Sequence, residues 1–218
     1  MSNTLDPAVK RNIRITVALA LTFALITIAA LVNKLSHPRI LSVYETRDYG
    51  AYLLEPPRAL NPIALIDHNG QPFTEDYFKG QWTIVFFGFS HCADVCPTTM
   101  ATLAKTYQEL KAKDKADLNV VLITVDPKRD TPEVLEKYVH GYNPDFLGVT
   151  GDINRIRQLS LQLNTGFEMP EDGGENYQVQ HSGNLLLMNP EGELHSFIRP
   201  PFEHGGLRVL WRSIRASY

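Results

Sequence analysis

From Ile15 to Val32 the chain reads ITVALALTFALITIAALV, without one charged side chain. As a helix that stretch is about 27 Å long, close to the ~30 Å hydrocarbon thickness of a bilayer. The pattern predicts a membrane anchor over residues 15–33. A cleaved signal peptide is the alternative, but its apolar region is usually shorter, and no small-x-small site precedes a polar residue here. Lys10, Arg11 and Arg14 lie before the span; Lys34, Arg39 and Arg47 lie after it. The tighter basic cluster comes first, which makes residues 1–14 a cytoplasmic tail with the N-terminus inside.

Beyond the span the pattern changes. Residues 34–59 contain Pro38, Pro56 and Pro57 and keep no period, so they read as a tether. A globular domain is expected over 60–218. Pro62–Ile66 and Gln71–Thr74 flank Asn69-Gly70, a hairpin signal. Thr83–Phe89 is rich in β-branched and aromatic residues and reads as a strand. Over Pro97–Lys113 the apolar positions Met100, Leu103, Ala104, Tyr107 and Leu110 recur at helical steps. Leu118–Val125 is almost wholly apolar, as in a strand covered on both faces. Asp130-Thr131-Pro132-Glu133 starts a helix that runs to about His140. Strand Phe146–Thr150 and helix Asp152–Leu163 follow. Asn164–Gln180 is polar, with acidic residues from Glu168 to Glu175, and reads as a loop or an insertion hairpin. Asn184–Met188 and Glu193–Arg199 pair across a turn at Asn189–Gly192. After Pro200-Pro201 the last helix covers His204–Ser217. This order predicts an α/β domain with a mixed sheet flanked by helices.

Composition adds limits. With 218 residues, 44% hydrophobic, the chain suits one globular domain plus an appendage. A net charge of -3 gives no reason to expect a nucleic-acid partner. Two cysteines, Cys92 and Cys96, are too few for a disulfide scaffold. Both fall at the first strand-to-helix turn, and a ββα close follows, which is the thioredoxin arrangement.

Two thiols there can be a redox pair or soft-metal ligands. A helix N-terminus lowers a thiol pKa, which favours reactivity. The spacing argues for metal. Redox thioredoxins use two intervening residues; here there are three, Ala93, Asp94 and Val95, and Asp94 opposes thiolate formation. At i, i+4 the sulfurs share a helical face and can converge on one ion. Cu(I) is soft and prefers thiolates, and an imidazole would complete a three-coordinate site. A structural disulfide or two inert buried thiols are the bland alternative. His181 stands where redox thioredoxins place a cis-proline; it is a ligand or a hydrogen-bonded loop histidine, and position alone does not decide. His91 should point away from the sulfurs, in a structural or supporting role. His68 sits in a turn, His140 near a helix end, and His37, His195 and His204 on the surface. Met100 reads as core. Asp126, at the carboxyl end of a central strand, is expected by position to line the same mouth, since α/β sites gather there.

FGFSHCADVCPTTM, TVDPKRDTPEVL, FLGVTG and QHSGNLLLMNPEGEL together resemble the Sco/SenC family, from about Leu60 to the C-terminus. Those proteins are membrane-anchored, copper-binding, thioredoxin-like assembly factors for cytochrome c oxidase. The resemblance implies a copper site (Cu(I), Cu(II) or both) made by Cys92 and Cys96 of CxxxCP and by His181, with Asp126 of the DPxRDTP motif as a supporting residue. Two positions depart from the family pattern: Ala93 replaces a frequent proline, and Gln180 a frequent aspartate that could orient the histidine. The implied partners are the oxidase subunit with the dinuclear copper site, a copper donor and a thiol reductant, since a disulfide leaves no thiolate ligands. The implied place is the bacterial inner membrane with the domain in the periplasm, or the mitochondrial inner membrane facing the intermembrane space. Copper delivery is the first reading. Thiol–disulfide exchange on the subunit's cysteines is the second, with Cys92 attacking and Cys96 resolving. A peroxiredoxin-like peroxidase is a distant third.

Overall fold

The computed structural model describes residues 6–36, 39–170 and 177–218. It forms two compact units, Met1–Arg39 and Ile40–Tyr218. In the first, helix α1 spans Pro7–Ser36 and is long and apolar enough to cross a membrane. Its start is capped by Asp6, whose carboxylate accepts from the Ala8 N–H at 2.8 Å. The hydroxyls of Thr16, Thr22 and Thr27 donate back to the carbonyls of Asn12, Ala18 and Ala24, so these polar groups are spent inside the helix.

The second unit begins before Leu60. Residues 34–59 were expected to be a tether, but helix α2 (Val43–Asp48) and strand β1 (Ala51–Arg58) lie within them. A capping box between Ser42 and Glu45 starts α2. Gly50 then takes φ +78°, and a Cβ there would stand 2.5 Å from the Arg199 carbonyl oxygen, so the turn requires glycine. Strand β1 carries Pro56 and Pro57, which hid it in the sequence. It is an edge strand, where a missing N–H can face away from the ladder, and the pairing is irregular between Leu53 and Arg58.

Strands β2 (Leu65–Asp67) and β3 (Pro72–Phe73) form the expected hairpin, and a 3-10 turn covers Glu75–Phe78. Strand β4 (Trp82–Gly88) is buried throughout. Helix α3 is Val95–Glu109, starting two residues earlier than expected, and a separate turn α4 (Ala112–Lys115) follows. Then come β5 (Leu118–Thr124), α5 (Pro132–His140), β6 (Leu147–Thr150) and α6 (Ile153–Gln162). The polar insertion is a hairpin at its described ends, β7 (Phe167–Glu168) against β8 (Gln180–His181). Residues 171–176, which hold most of the acidic cluster, lie outside the described residues. Strands β9 (Leu185–Met188) and β10 (Leu194–Ile198) and helix α7 (His204–Ser217) close the domain.

The main sheet has the order β1-β10-β9-β4-β5-β6-β2-β3. Strands β4, β5 and β6 are parallel, and the other pairs are antiparallel. The fold is a mixed sheet flanked by helices, thioredoxin-like as expected. Strand β4 is central because its apolar residues meet cover on both faces; Phe86, Phe87, Leu122 and Ile123 are all fully buried. Met100 belongs to this core. His195 was expected on the surface, yet its ring meets Trp82 edge-on at 5.1 Å and is partly buried. His68 is buried too, and its Nδ1 accepts from the Gly148 N–H at 3.1 Å.

Candidate metal centre

Parallel strands β4 and β5 both end at one edge, and the chain leaving β4 must turn there into α3. This turn carries the cysteines. The Cys92 N–H donates to the Phe89 carbonyl at 3.3 Å, which curls the loop. Cys96 lies in the first turn of α3, and its N–H donates to Sγ of Cys92 at 3.4 Å. Cys96 is fully buried and Cys92 partly exposed; both are free thiols. Gly88 makes room for the inner sulfur. A Cβ at Gly88 would stand 3.1 Å from Sγ of Cys96 and 2.8 Å from the Phe86 ring.

His181 arrives on β8. Its Nδ1 lies 3.0 Å from the Ser182 carbonyl oxygen, which can only accept, so Nδ1 carries the proton. Nε2 therefore presents a lone pair, 3.3 Å from Sγ of Cys96. The rings of Phe86 and Phe89 hold the imidazole edge-on at 5.9 and 5.8 Å. Burial lowers the His181 pKa, which favours the neutral ring a metal needs.

Burial also pushes the Cys96 thiol well above its ordinary pKa, and its hydrogen bond with Cys92 adds to this. The expected help from the helix N-terminus does not win at Cys96, because desolvation of a sulfur with no solvent contact is larger. A cation at the sulfur would reverse that balance.

The ligand atoms of Cys92, Cys96 and His181 lie within 4.8 Å of one another, one buried and two partly buried. Three ligands about 2.2 Å from a trigonal ion stand about 3.8 Å apart, so small shifts that widen the Cys96–His181 pair and draw in the wider ones would seat one. Two sulfurs and one imidazole nitrogen suit a soft ion. A cleft of about 310 Å³ opens beside Cys92 and His181, lined also by Asp94, Val95 and Gln178.

His91 turns away, as expected, and meets Ser90 Oγ at 2.8 Å. Asp126 is fully buried, and its carboxylate makes no direct hydrogen bond to the cysteines or His181. It accepts from the Tyr177 hydroxyl at 2.7 Å and from Nε of Arg129. Asp130 opens the sequence that starts α5 but does not cap the helix. Thr131 caps α5. The buried Asp130 carboxylate instead accepts from the Ser90 N–H at 3.1 Å, the Ser90 hydroxyl, and the Thr124 hydroxyl at 2.6 Å. It ties the start of the cysteine loop to the end of β5. The available signal was redundancy, since Thr131 already supplies the cap.

A thioredoxin-like domain with two cysteines and a histidine converging at its first βα turn defines a class of metal-site proteins. The SCO1/SenC family model matches residues 54–206, and the chain belongs to that family. A protein of Stutzerimonas stutzeri, provisionally named copper-binding, is 42% identical over 159 residues, which cover 72% of this chain and 78% of that one. Protein SCO2 of Saccharomyces cerevisiae mitochondria is 35% identical over 173 residues, 78% of this chain; the chain spans only 56% of that relative's length. The crystal structure of Arabidopsis thaliana ScoI with copper bound superimposes with TM-score 0.67 at 32% identity, over 72% of this chain and 98% of that one.

Proposed function

We propose that this chain is a membrane-anchored copper chaperone that holds copper through Cys92, Cys96 and His181 and assists assembly of the dinuclear copper centre of cytochrome c oxidase. The observation that carries this reading is the convergence of two sulfurs and a free imidazole nitrogen within 4.8 Å. The thiolates suit Cu(I), and the copper is cargo rather than a resident cofactor. The partly exposed Cys92 and His181 leave an open side from which an acceptor's ligands can approach. The copper structure of the Arabidopsis relative supports the choice of metal. Helix α1 serves as the anchor with the N-terminus inside, and the domain works in the periplasm or the intermembrane space. A copper donor loads it, and a thiol reductant keeps the cysteines free.

Unequal exposure of the two thiols favours a second reading, a thiol–disulfide oxidoreductase. Cys92 thiolate would attack a disulfide of the oxidase subunit, releasing one thiolate. Cys96 would then attack Cys92 Sγ, releasing the second and leaving a Cys92–Cys96 disulfide. The raised Cys96 pKa slows that second step at neutral pH. The two readings separate when the copper-loaded chain meets the reduced, metal-free acceptor domain of an oxidase subunit. Delivery predicts that copper leaves this chain and appears in the acceptor. It is overturned if the reduced acceptor takes no copper from the loaded chain, while an oxidised acceptor gains its centre from free copper once the metal-free reduced chain has opened its disulfide.

A further inference from the structure

The aromatic ring of Tyr177 and the side chains of Asp126 and Arg129 form a closed clamp at the foot of the segment that carries His181. The Tyr177 hydroxyl donates to Asp126 Oδ1 at 2.7 Å, and Nε of Arg129 donates to Asp126 Oδ2. Nη2 of Arg129 donates to the Tyr177 carbonyl at 3.0 Å, and the guanidinium lies 3.7 Å from the centre of the Tyr177 ring. One residue further on, the Gln178 amide donates to the His91 carbonyl at 3.2 Å, tying the same segment to the cysteine loop. Phe89 continues the contact inward: it faces the Arg129 guanidinium at 5.7 Å and the His181 ring at 5.8 Å. Asp126 has no solvent contact, so its charge is committed to this clamp.

From this geometry we infer that Tyr177 is a positioning residue, which the Asp126–Arg129 pair holds so that His181 stands over Cys96. The segment from Tyr177 to His181 is short and described throughout. Fixing its first residue therefore limits where its last can go. Gln180 lacks the carboxylate through which a neighbour could orient the histidine, and the clamp supplies orientation from four residues away. The inference rests on the copper-site reading for its consequence but not for its geometry.

The test uses the reduced full chain in detergent micelles, first without metal. Wild-type Cys92 should react with iodoacetamide well before Cys96, whose sulfur is covered. Tyr177→Phe keeps the ring beneath Arg129 and removes one hydrogen bond to a charged acceptor, which should speed Cys96 alkylation about tenfold while circular dichroism stays unchanged. With Cu(I) added, Tyr177→Phe should weaken binding, and adding His181→Ala to it should weaken binding less than His181→Ala alone does in wild type. Asp126→Asn is the second variant and should act in the same direction. Unchanged Cys96 protection and fully additive copper losses in both variants would overturn the clamp. A wild type that binds no copper while Tyr177→Phe still unmasks Cys96 supports the clamp and removes the copper reading instead.

Discussion

Nε2 of His181 stands 3.3 Å from Sγ of Cys96, although 85 residues separate them in the chain. The contact joins the two ends of the thioredoxin-like core. Cys96 comes from the turn after the central strand β4, and His181 from a short hairpin before β9. Strands β4 and β9 are paired antiparallel, so the end of one lies beside the start of the other. Topology therefore brings the third ligand to the first two.

Gly88 is the space this contact needs. Gly88→Ala would place a methyl group 3.1 Å from the Cys96 sulfur and 2.8 Å from the Phe86 ring. Overpacking of that kind costs about 1–3 kcal/mol. Urea unfolding should show that loss, and copper titration should show weaker binding because the sulfur must move.

Asp130→Asn keeps the shape and removes the charge on which Ser90 and Thr124 converge. The expected loss is about 2–4 kcal/mol, since several hydrogen bonds to a buried carboxylate weaken together. Unfolding by urea measures it. Amide exchange in the cysteine loop should rise in the same variant, while exchange at β10 on the other side of the sheet stays slow.

A chain that begins at Ile40 should fold as one that begins at Leu60 does not. The shorter one loses α2, β1 and the buried side chain of Leu41, and it bares the edge of β10. The cost is at least about 2 kcal/mol from lost apolar burial alone. Thermal unfolding of the two truncations, with light scattering for aggregation through the exposed edge, checks it.

Stability should fall on the acid side of neutrality. Burial is the largest cause lowering the pKa of His68, His181 and His195, and His140 adds to it at His68. The unfolded chain then binds protons before the folded one does. Stability is full above the ordinary histidine pKa of about 6.5 and declines as pH drops through the lowered values. Urea midpoints between pH 8 and 5 should trace this decline, and His195→Phe should make it shallower.

Much of the fold was readable because periods and punctuation agreed. The central strands are near-continuous apolar runs, the helices keep three- and four-residue steps, and Asn69-Gly70 marks its turn. Strand β1 was hidden because two prolines at an edge break the strand signal without breaking the strand. His195 misled because a lone polar residue in an alternating strand reads as exposed, while Trp82 and Tyr218 cover it from elements distant in sequence. At the site, the cysteines declared themselves by spacing, while the place of His181 before β9 left it open until the family resemblance named it as a ligand. Tyr177 carries no such pattern, and the motif that holds Asp126, Arg129 and Asp130 does not say what they touch. Their partners are set by which loops meet at the sheet edge, and local sequence does not encode that meeting.

The most direct test of the copper site is a Cu(I) competition titration of the reduced full chain in micelles, beside His181→Ala and Cys96→Ala. Wild type should bind one equivalent tightly. Each variant should lose affinity beyond the roughly 10–100-fold that removing an outer partner of a ligand costs. Unchanged affinity in His181→Ala would contradict a copper site built on that histidine.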